Sequence, residues 1–290
     1  MDRDLRIQDA LQQALHLHTG GSCPPRLAQA VHYAVFPGGH RMRPRICLAV
    51  AAACGEDHPE ISTAAATAIE LMHCASLVHD DMPCFDDAAT RRGKPSVHSA
   101  FGERLALLCG DALIVLAFQT LAAGTCRLPE RLQVLVQVLG RGTGMPNGIV
   151  SGQAWECESS VALDHYQRAK TGALFSAATM AGAAAAGENH EPWSVLGLRL
   201  GEAYQVADDI LDRHGDPDVL GKPVGRDQAL RRPNAVAEQG LAAATERLRR
   251  LIREAIASVP NCRGAELLRR QIEQESNQFM QHALSHPAAA

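Results

Sequence analysis

Alternating runs of β-branched residues are missing from this 290-residue chain, which removes the main sequence signature of a half-buried sheet. Any Cys-x-x-Cys pair is missing too. Nine cysteines are scattered along the chain, an odd number, behind an N-terminus with no apolar signal core. A disulfide framework and a cysteine-rich zinc site are thereby disfavoured, and reduced thiols in a cytoplasmic protein are expected. Neither sign of charge is in large surplus. With 28 Lys+Arg against 32 Asp+Glu the net charge is -4, so nothing at whole-chain level suits nucleic acid. The most apolar stretch, "LALLCGDALIVLAFQTLAA", is broken by Asp111 and falls short of a clean membrane span. The expectation is a soluble chain with no membrane span, in which any charge-driven function is local.

Hydrophobic residues make up 46% of the chain, ample for a buried core. Ala and Leu dominate long segments of helical periodicity, "ISTAAATAIELMHCASLVHDD", "TGALFSAATMAGAAAAG" and "WSVLGLRLGEAYQVADDILD", so an all-α architecture is expected. Breakers punctuate it at "FPGGHRMRP", "MPNG", "GENHEPW" and "HGDPDVLGKPVG". None is long or polar enough for an interdomain linker, and one helical domain over residues 1–290 follows.

Against this bland background one stretch stands out. "LVHDDMPCFDDAATRRG" gathers Asp80, Asp81, Asp86 and Asp87 just ahead of Arg91 and Arg92, and aspartates recur in "YQVADDILD" as Asp208, Asp209 and Asp212. Asp208 and Asp212 are four apart and share a helix face. One such cluster could be the wet end of a helix emerging into solvent; two, each closing an apolar helix, call for a reason. Hard divalent cations take oxygen ligands, and Mg²⁺ is typically held by one or two carboxylates, waters and substrate phosphates. Two facing clusters could clamp a diphosphate through Mg²⁺. Guanidinium groups are shaped for bidentate phosphate contact, which gives Arg91 and Arg92 a task, and likewise Arg41, Arg43 and Arg45 of "GGHRMRPR". Each has a plainer alternative: Arg45 as a surface residue, Arg91 or Arg92 as a salt-bridge partner of the aspartates.

Taken in order, "GGHRMRP", "ELMHCASLVHDDMPCFDD" with "RRGKPSVH", "GDALI", "GQAWE", "KTGALF", "YQVADDILD" and "GKPVGRD" resemble the trans-isoprenyl diphosphate synthases, the head-to-tail prenyltransferases that include farnesyl and geranylgeranyl diphosphate synthases. The resemblance implies the isoprenoid synthase fold, a bundle of long, mostly antiparallel helices around a deep central cavity, and a homodimer. Carried over, it implies Mg²⁺ ligands at Asp80, Asp81, Asp86, Asp208, Asp209 and Asp212. It implies contacts to the allylic diphosphate from Arg91, Lys170, Thr171, Gln205 and Lys222, with Asp80, Asp81, Asp86, Arg91, Lys170 and Lys222 forming the catalytic set. Gly39, His40, Arg43, His73 and Arg92 would bind isopentenyl diphosphate. The implied chemistry is loss of diphosphate from an allylic substrate, attack by isopentenyl diphosphate on the resulting cation, and loss of a proton. No protein nucleophile is needed, and no side chain is assigned as base.

Product length turns on the helix ahead of Asp80. A residue five positions earlier lies about 7.5 Å back along the axis; that residue is Ala75, with Ser76 beside it. Family members that stop at fifteen carbons commonly carry an aromatic floor here. Its absence favours geranylgeranyl diphosphate, with farnesyl diphosphate as the alternative if a neighbouring helix closes the cavity, and longer products stay open unless Met72 and Leu71 turn inward to set a lower floor. One departure is His40 where the family usually has lysine, which would either weaken isopentenyl diphosphate binding or make it depend on pH; another is Arg226 in place of a second lysine. A class I terpene cyclase and a non-catalytic synthase subunit are the rival classes. The all-aspartate "DDILD" and the arginines argue against the first, and two intact metal motifs against the second.

Overall fold

Helix ends fall at the breakers. The structure, a computed structural model, describes residues 2–19, 22–125, 127–160, 162–214 and 235–284. In chain order its α-helices are α1 (Arg3–Thr19), α2 (Pro25–Val35), α3 (Met42–Cys54), α4 (Pro59–Asp80), α5 (Val97–Phe101), α6 (Glu103–Gly124) and α7 (Pro129–Thr143). There follow α8 (Ile149–Ala154), α9 (Leu163–Gln167), α10 (Ala173–Ala185), α11 (Ser194–His214), α12 (Ala235–Gln239), α13 (Leu241–Ala257) and α14 (Ala265–Leu284). Proline stands first in α2, α4 and α7, where its fixed φ suits the helix and its missing N–H is no loss. Gly55, at φ 108, closes α3 in the left-handed conformation glycine adopts without strain.

The all-α expectation holds, with one small departure. Thr90–Arg91 and Lys94–Pro95 form a two-strand antiparallel hairpin, β1 and β2, with Arg91 opposite Lys94. Its connection is Arg92-Gly93, both at positive φ, as a two-residue hairpin turn of the primed type requires. Strands this short leave no alternation to read.

Helix α4 is the axis of the bundle. From Ile61 to Val78 nearly every side chain is buried, because α3, α6 and α10 all pack on it. Small residues set its register with α6: a Cβ on Gly110 would lie 2.0 Å from His79 Nε2, and one on Gly124 would lie 2.3 Å from the Ala64 Cβ. The two helices are therefore antiparallel and in close contact. One core cluster runs from Ile7 to Ile272, and a second joins α11 to α12 and α13 through Val206, Ile210, Val236 and Leu248.

By length and composition alone α4 and α6 could each cross a membrane, and they differ in how they are covered: the apolar window of α4 is 78% buried inside the protein, that of α6 only 39%. The exposed part of α6 includes Leu107, Leu108 and Val115, but also the carboxylate of Asp111, a group costly to place in hydrocarbon.

Candidate active site

The first aspartate cluster is folded back on itself. Asp80 ends α4, and the chain then bends so that the Asp86 N–H donates to the Asp80 carbonyl at 3.0 Å and the Ala88 N–H to that of Asp81 at 3.0 Å. Asp86 is thereby brought beneath Asp80, whereas Asp87, at φ 46, faces solvent. The third member of the set comes from elsewhere. Asp80, Asp86 and Glu156 each offer a carboxylate oxygen, and the three oxygens lie within 4.8 Å of one another. An all-oxygen donor set of this size suits a hard divalent cation such as Mg²⁺. Glu156 follows α8 in a short 3-10 turn, Trp155–Cys157. It belongs to the "GQAWE" stretch, yet nothing in its spacing singled it out.

Asp81 does not join this trio. It is 2% exposed, and Arg91 grips both its oxygens, from Nε at 3.0 and 3.1 Å and from Nη2 at 2.5 Å. Burial pushes the Asp81 carboxyl above its ordinary value in spite of that grip. Of the two possibilities for Arg91, the structure shows the salt-bridge partner. The pair ties the β-hairpin to the end of α4 and so aims the turn that carries Arg92.

A basic group completes the carboxylate set. Lys170 Nζ lies 3.2 Å from Asp80 Oδ1 and 2.5 Å from Glu156 Oε1, and Tyr166 Oη donates to the same Glu156 oxygen at 2.5 Å. Lys170 and Thr171 sit on a single π-helical segment, Arg168–Gly172. Such wide turns occur mostly as local bulges, often at functional sites. Gly152 of α8 lets this segment approach, since a Cβ there would fall 2.3 Å from the Lys170 nitrogen. From the π-turn a relay leads to the second motif. Thr171 Oγ1 donates to Gln205 Oε1 at 2.8 Å, and Gln205 Nε2 to Asp209 Oδ1 at 2.9 Å. Asp209 is fully buried and Asp208 half-buried. Asp212 lies one turn along α11; its side chain and the whole of Lys222 fall outside the described residues.

The second charged region has the opposite character. Arg43 is 8% exposed and stacks over the Phe175 ring at 4.4 Å. Its Nη1 lies 3.3 Å from His73 Nε2, and its Nε has no hydrogen-bond partner in the protein. Burial lowers the Arg43 pKa, and Arg92 adds to that effect. His73 is held well below its ordinary value, by burial first and then by the charges of Arg43, Arg92, Arg91 and Arg41, so it is neutral. Arg92 packs on the glycine turn: a Cβ on Gly39 would lie 2.9 Å from its guanidinium. His40, beside it, is exposed. Arg43, His73, Arg92 and Gly39 are thus brought together.

The other two arginines of "GGHRMRPR" turn away. Arg41, at φ 49, folds back to pair with the buried Glu70 and to donate to the Val35 carbonyl at 2.5 Å, which fixes the entry to α3. Arg45 reaches Asp4 at 3.4 Å and Glu275 at 3.6 Å, the surface role given as its plainer alternative. Lys94 anchors the hairpin on the carbonyls of Tyr33 and Phe36 at 2.8 and 2.7 Å. In the chain-length region Ala75 is 1% exposed and Met72 and Leu71 are buried, while Ser76 spends its hydroxyl on the His73 carbonyl at 2.9 Å.

Residues 24–267 match the family model "Polyprenyl synthetase". A geranylgeranyl diphosphate synthase of Cereibacter sphaeroides is 54% identical over 272 residues, covering 92% of this chain and 94% of that protein. Its counterpart in Rhodobacter capsulatus is 49% identical over 280 residues, covering 97% of each. Among solved structures, a geranyltransferase from Helicobacter pylori, complexed with magnesium and isoprenyl diphosphate, superposes with a TM-score of 0.78 at 28% identity, covering 94% of this chain and 96% of that one.

Proposed function

The chain belongs to the polyprenyl synthetase family, and from that premise we propose that it is a Mg²⁺-dependent trans-prenyltransferase condensing isopentenyl diphosphate with allylic prenyl diphosphates to geranylgeranyl diphosphate. The observation that carries the reading is the opposition of the two charged regions: carboxylates interleaved with Lys170 on one side, and arginines around a neutral His73 on the other. One suits a diphosphate that arrives with metal, the other a diphosphate bound directly. The relatives named geranylgeranyl diphosphate synthase support the product, as does the single methyl of Ala75, five positions before Asp80 on α4.

Asp80, Asp86 and Glu156 would hold Mg²⁺ on the first side, with Asp208 and Asp212 of the second aspartate motif proposed as further ligands. When bound, the metal supplies positive charge against the departing diphosphate. Lys170 adds its own charge at the same oxygens, and the Thr171–Gln205–Asp209 relay holds that segment in place; Lys222 is assigned to the same diphosphate. Arg43, Arg92 and His73, with Gly39 and His40 at the rim, orient isopentenyl diphosphate with its double bond toward the allylic carbon. The rest of the rate comes from positioning and exclusion of water. The departing diphosphate takes the final proton.

A single domain, a homodimer and a cytoplasmic setting complete the proposal. Leu107, Leu108 and Val115 on the uncovered side of α6 support the dimer, and thiols unpaired in all eight described cysteines support the compartment. The test is product analysis by chromatography and mass spectrometry, with Mg²⁺, isopentenyl diphosphate and each allylic starter in turn. A predominant twenty-carbon diphosphate is expected. A fifteen-carbon end product would move the floor to another side chain, and release of a hydrocarbon or alcohol without isopentenyl diphosphate would replace the reading by a cyclase.

A further inference from the structure

On the outer side of the turn that carries Lys170, a pocket of about 250 Å³ opens between the π-turn, α11 and α13. Four guanidinium groups line it, those of Arg168, Arg199, Arg247 and Arg250, together with the carboxylates of Glu202 and Glu254. Each carboxylate is already shared. Glu202, 9% exposed, accepts from Arg168 Nε at 3.2 Å and from Arg199 Nη1 at 2.9 Å. Glu254 lies 3.2 Å from Arg199 Nε and 3.7 Å from Arg250 Nε. Arg168, Arg199 and Arg250, three guanidinium groups, thus share two carboxylates, so among the described residues these five groups carry a positive surplus. Like charges gathered in a concavity attract an anion. Guanidinium groups arriving from three separate elements suit an anion with several oxygens spread over more than one phosphorus.

We propose that this pocket binds a diphosphate group, either inorganic diphosphate or the head of a prenyl diphosphate, outside the catalytic cleft. The proposal rests on the prenyltransferase reading only for the supply of ligand, since each condensation releases one diphosphate. Its place in the fold gives it a consequence. Arg168 stands two residues before Lys170 on the same five-residue π segment. Glu202 holds the first from outside, while Asp80 and Glu156 hold the second from inside. An anion that draws Arg168 away from Glu202 strains the turn that sets Lys170 in the site, so accumulated diphosphate weakens allylic substrate binding from a second position.

The test is calorimetric titration of inorganic diphosphate into the wild-type protein and into an Arg247→Gln/Arg250→Gln variant, both in EDTA so that metal-assisted capture in the cleft is switched off. The wild type is expected to show a diphosphate site that the variant lacks or binds at least about tenfold more weakly, as loss of a charge-assisted hydrogen bond implies. Turnover with fresh substrates should be unchanged in the variant. Arg250→Glu, at a side chain 62% exposed, serves if the double variant does not fold. Geranylgeranyl diphosphate titrated in the same way separates the sources: an Arg250-dependent site for it means that the head group suffices, and its absence assigns the pocket to the released product. Identical isotherms in wild type and variants would overturn the proposal and leave an interhelical ion-pair ladder only. Binding in EDTA needs no turnover, so protein inactive with every starter yet retaining Arg250-dependent binding would sink the prenyltransferase reading and not the pocket.

Discussion

On the proposed reading the two charged regions answer the same problem, holding a diphosphate, in opposite ways. On the side of Asp80 the charges are interleaved: Lys170 bridges Asp80 and Glu156, and Arg91 covers Asp81. On the side of Arg43 they are not. Guanidinium groups gather around a histidine held neutral by burial first and by their charges second, and a buried Arg43 nitrogen has no acceptor in the protein. On the first side carboxylates outnumber the cations, and each cation already has a partner, so the set gains little by taking up an anion alone and would become an anion site when a divalent ion shifts the balance. A set with cations in surplus is an anion site as it stands. On the proposed reading, metal dependence follows from which sign of charge is in surplus on each side.

The largest expected effect breaks the metal side. Asp80→Ala removes an oxygen from the trio and a partner of Lys170, and should cut turnover on the order of a thousandfold, with the helical circular dichroism unchanged. The check includes Mn²⁺ binding followed by electron paramagnetic resonance, which should weaken in parallel. Near-normal turnover would end the metal-clamp account.

Breaking the other side should be gentler and selective. Arg43→Gln keeps a polar group over Phe175 but loses the charge. KM for isopentenyl diphosphate is expected to rise by about tenfold to a hundredfold, as for a lost charge-assisted hydrogen bond, while KM for the allylic partner stays within a few-fold. Equal losses for both substrates would erase the distinction between the two regions.

Ala75→Phe sharpens the comparison by asking where the tail runs. With a ring added five positions before Asp80 on α4, the product should shift from twenty carbons to fifteen. Overpacking at a site 1% exposed is expected to cost about 1–3 kcal/mol of stability. Unchanged product length in the folded variant would place the tail away from α4.

The smallest effect is one of pH. Because the folded protein holds His73 well below its ordinary value, the unfolded chain binds that proton first as pH falls. Stability is therefore complete above roughly pH 6.5 and declines below it, by at most about 1.4 kcal/mol per pH unit from this group. His73→Gln should flatten that part of a denaturation-against-pH profile.

The helices and the two aspartate clusters were legible because both rest on periodicity or repetition, which survive in one dimension. Glu156 was not. A single glutamate after "GQAW" has no partner at a telling distance, and only the packing of α8 on the π-turn through Gly152 carries it to Asp80. Arg41 and Arg43 look alike in sequence, two positions apart. The left-handed backbone at Arg41 sends one back to Glu70 and leaves the other facing His73. Asp81 and Arg91 were each readable as functional groups, and the salt-bridge partnership stood only as an alternative. The structure shows that salt bridge, in keeping with a carboxylate that is 2% exposed and needs a cation held beside it. The arginine pocket beyond the π-turn draws on three segments far apart in the chain, and no local pattern announces it.

The most direct measurement is calorimetric binding of isopentenyl diphosphate and of an allylic diphosphate, each with Mg²⁺ and with EDTA. The account predicts that isopentenyl diphosphate binds with nearly the same affinity in both conditions, whereas the allylic partner loses most of its affinity without metal. Equal dependence of the two on Mg²⁺ would contradict it.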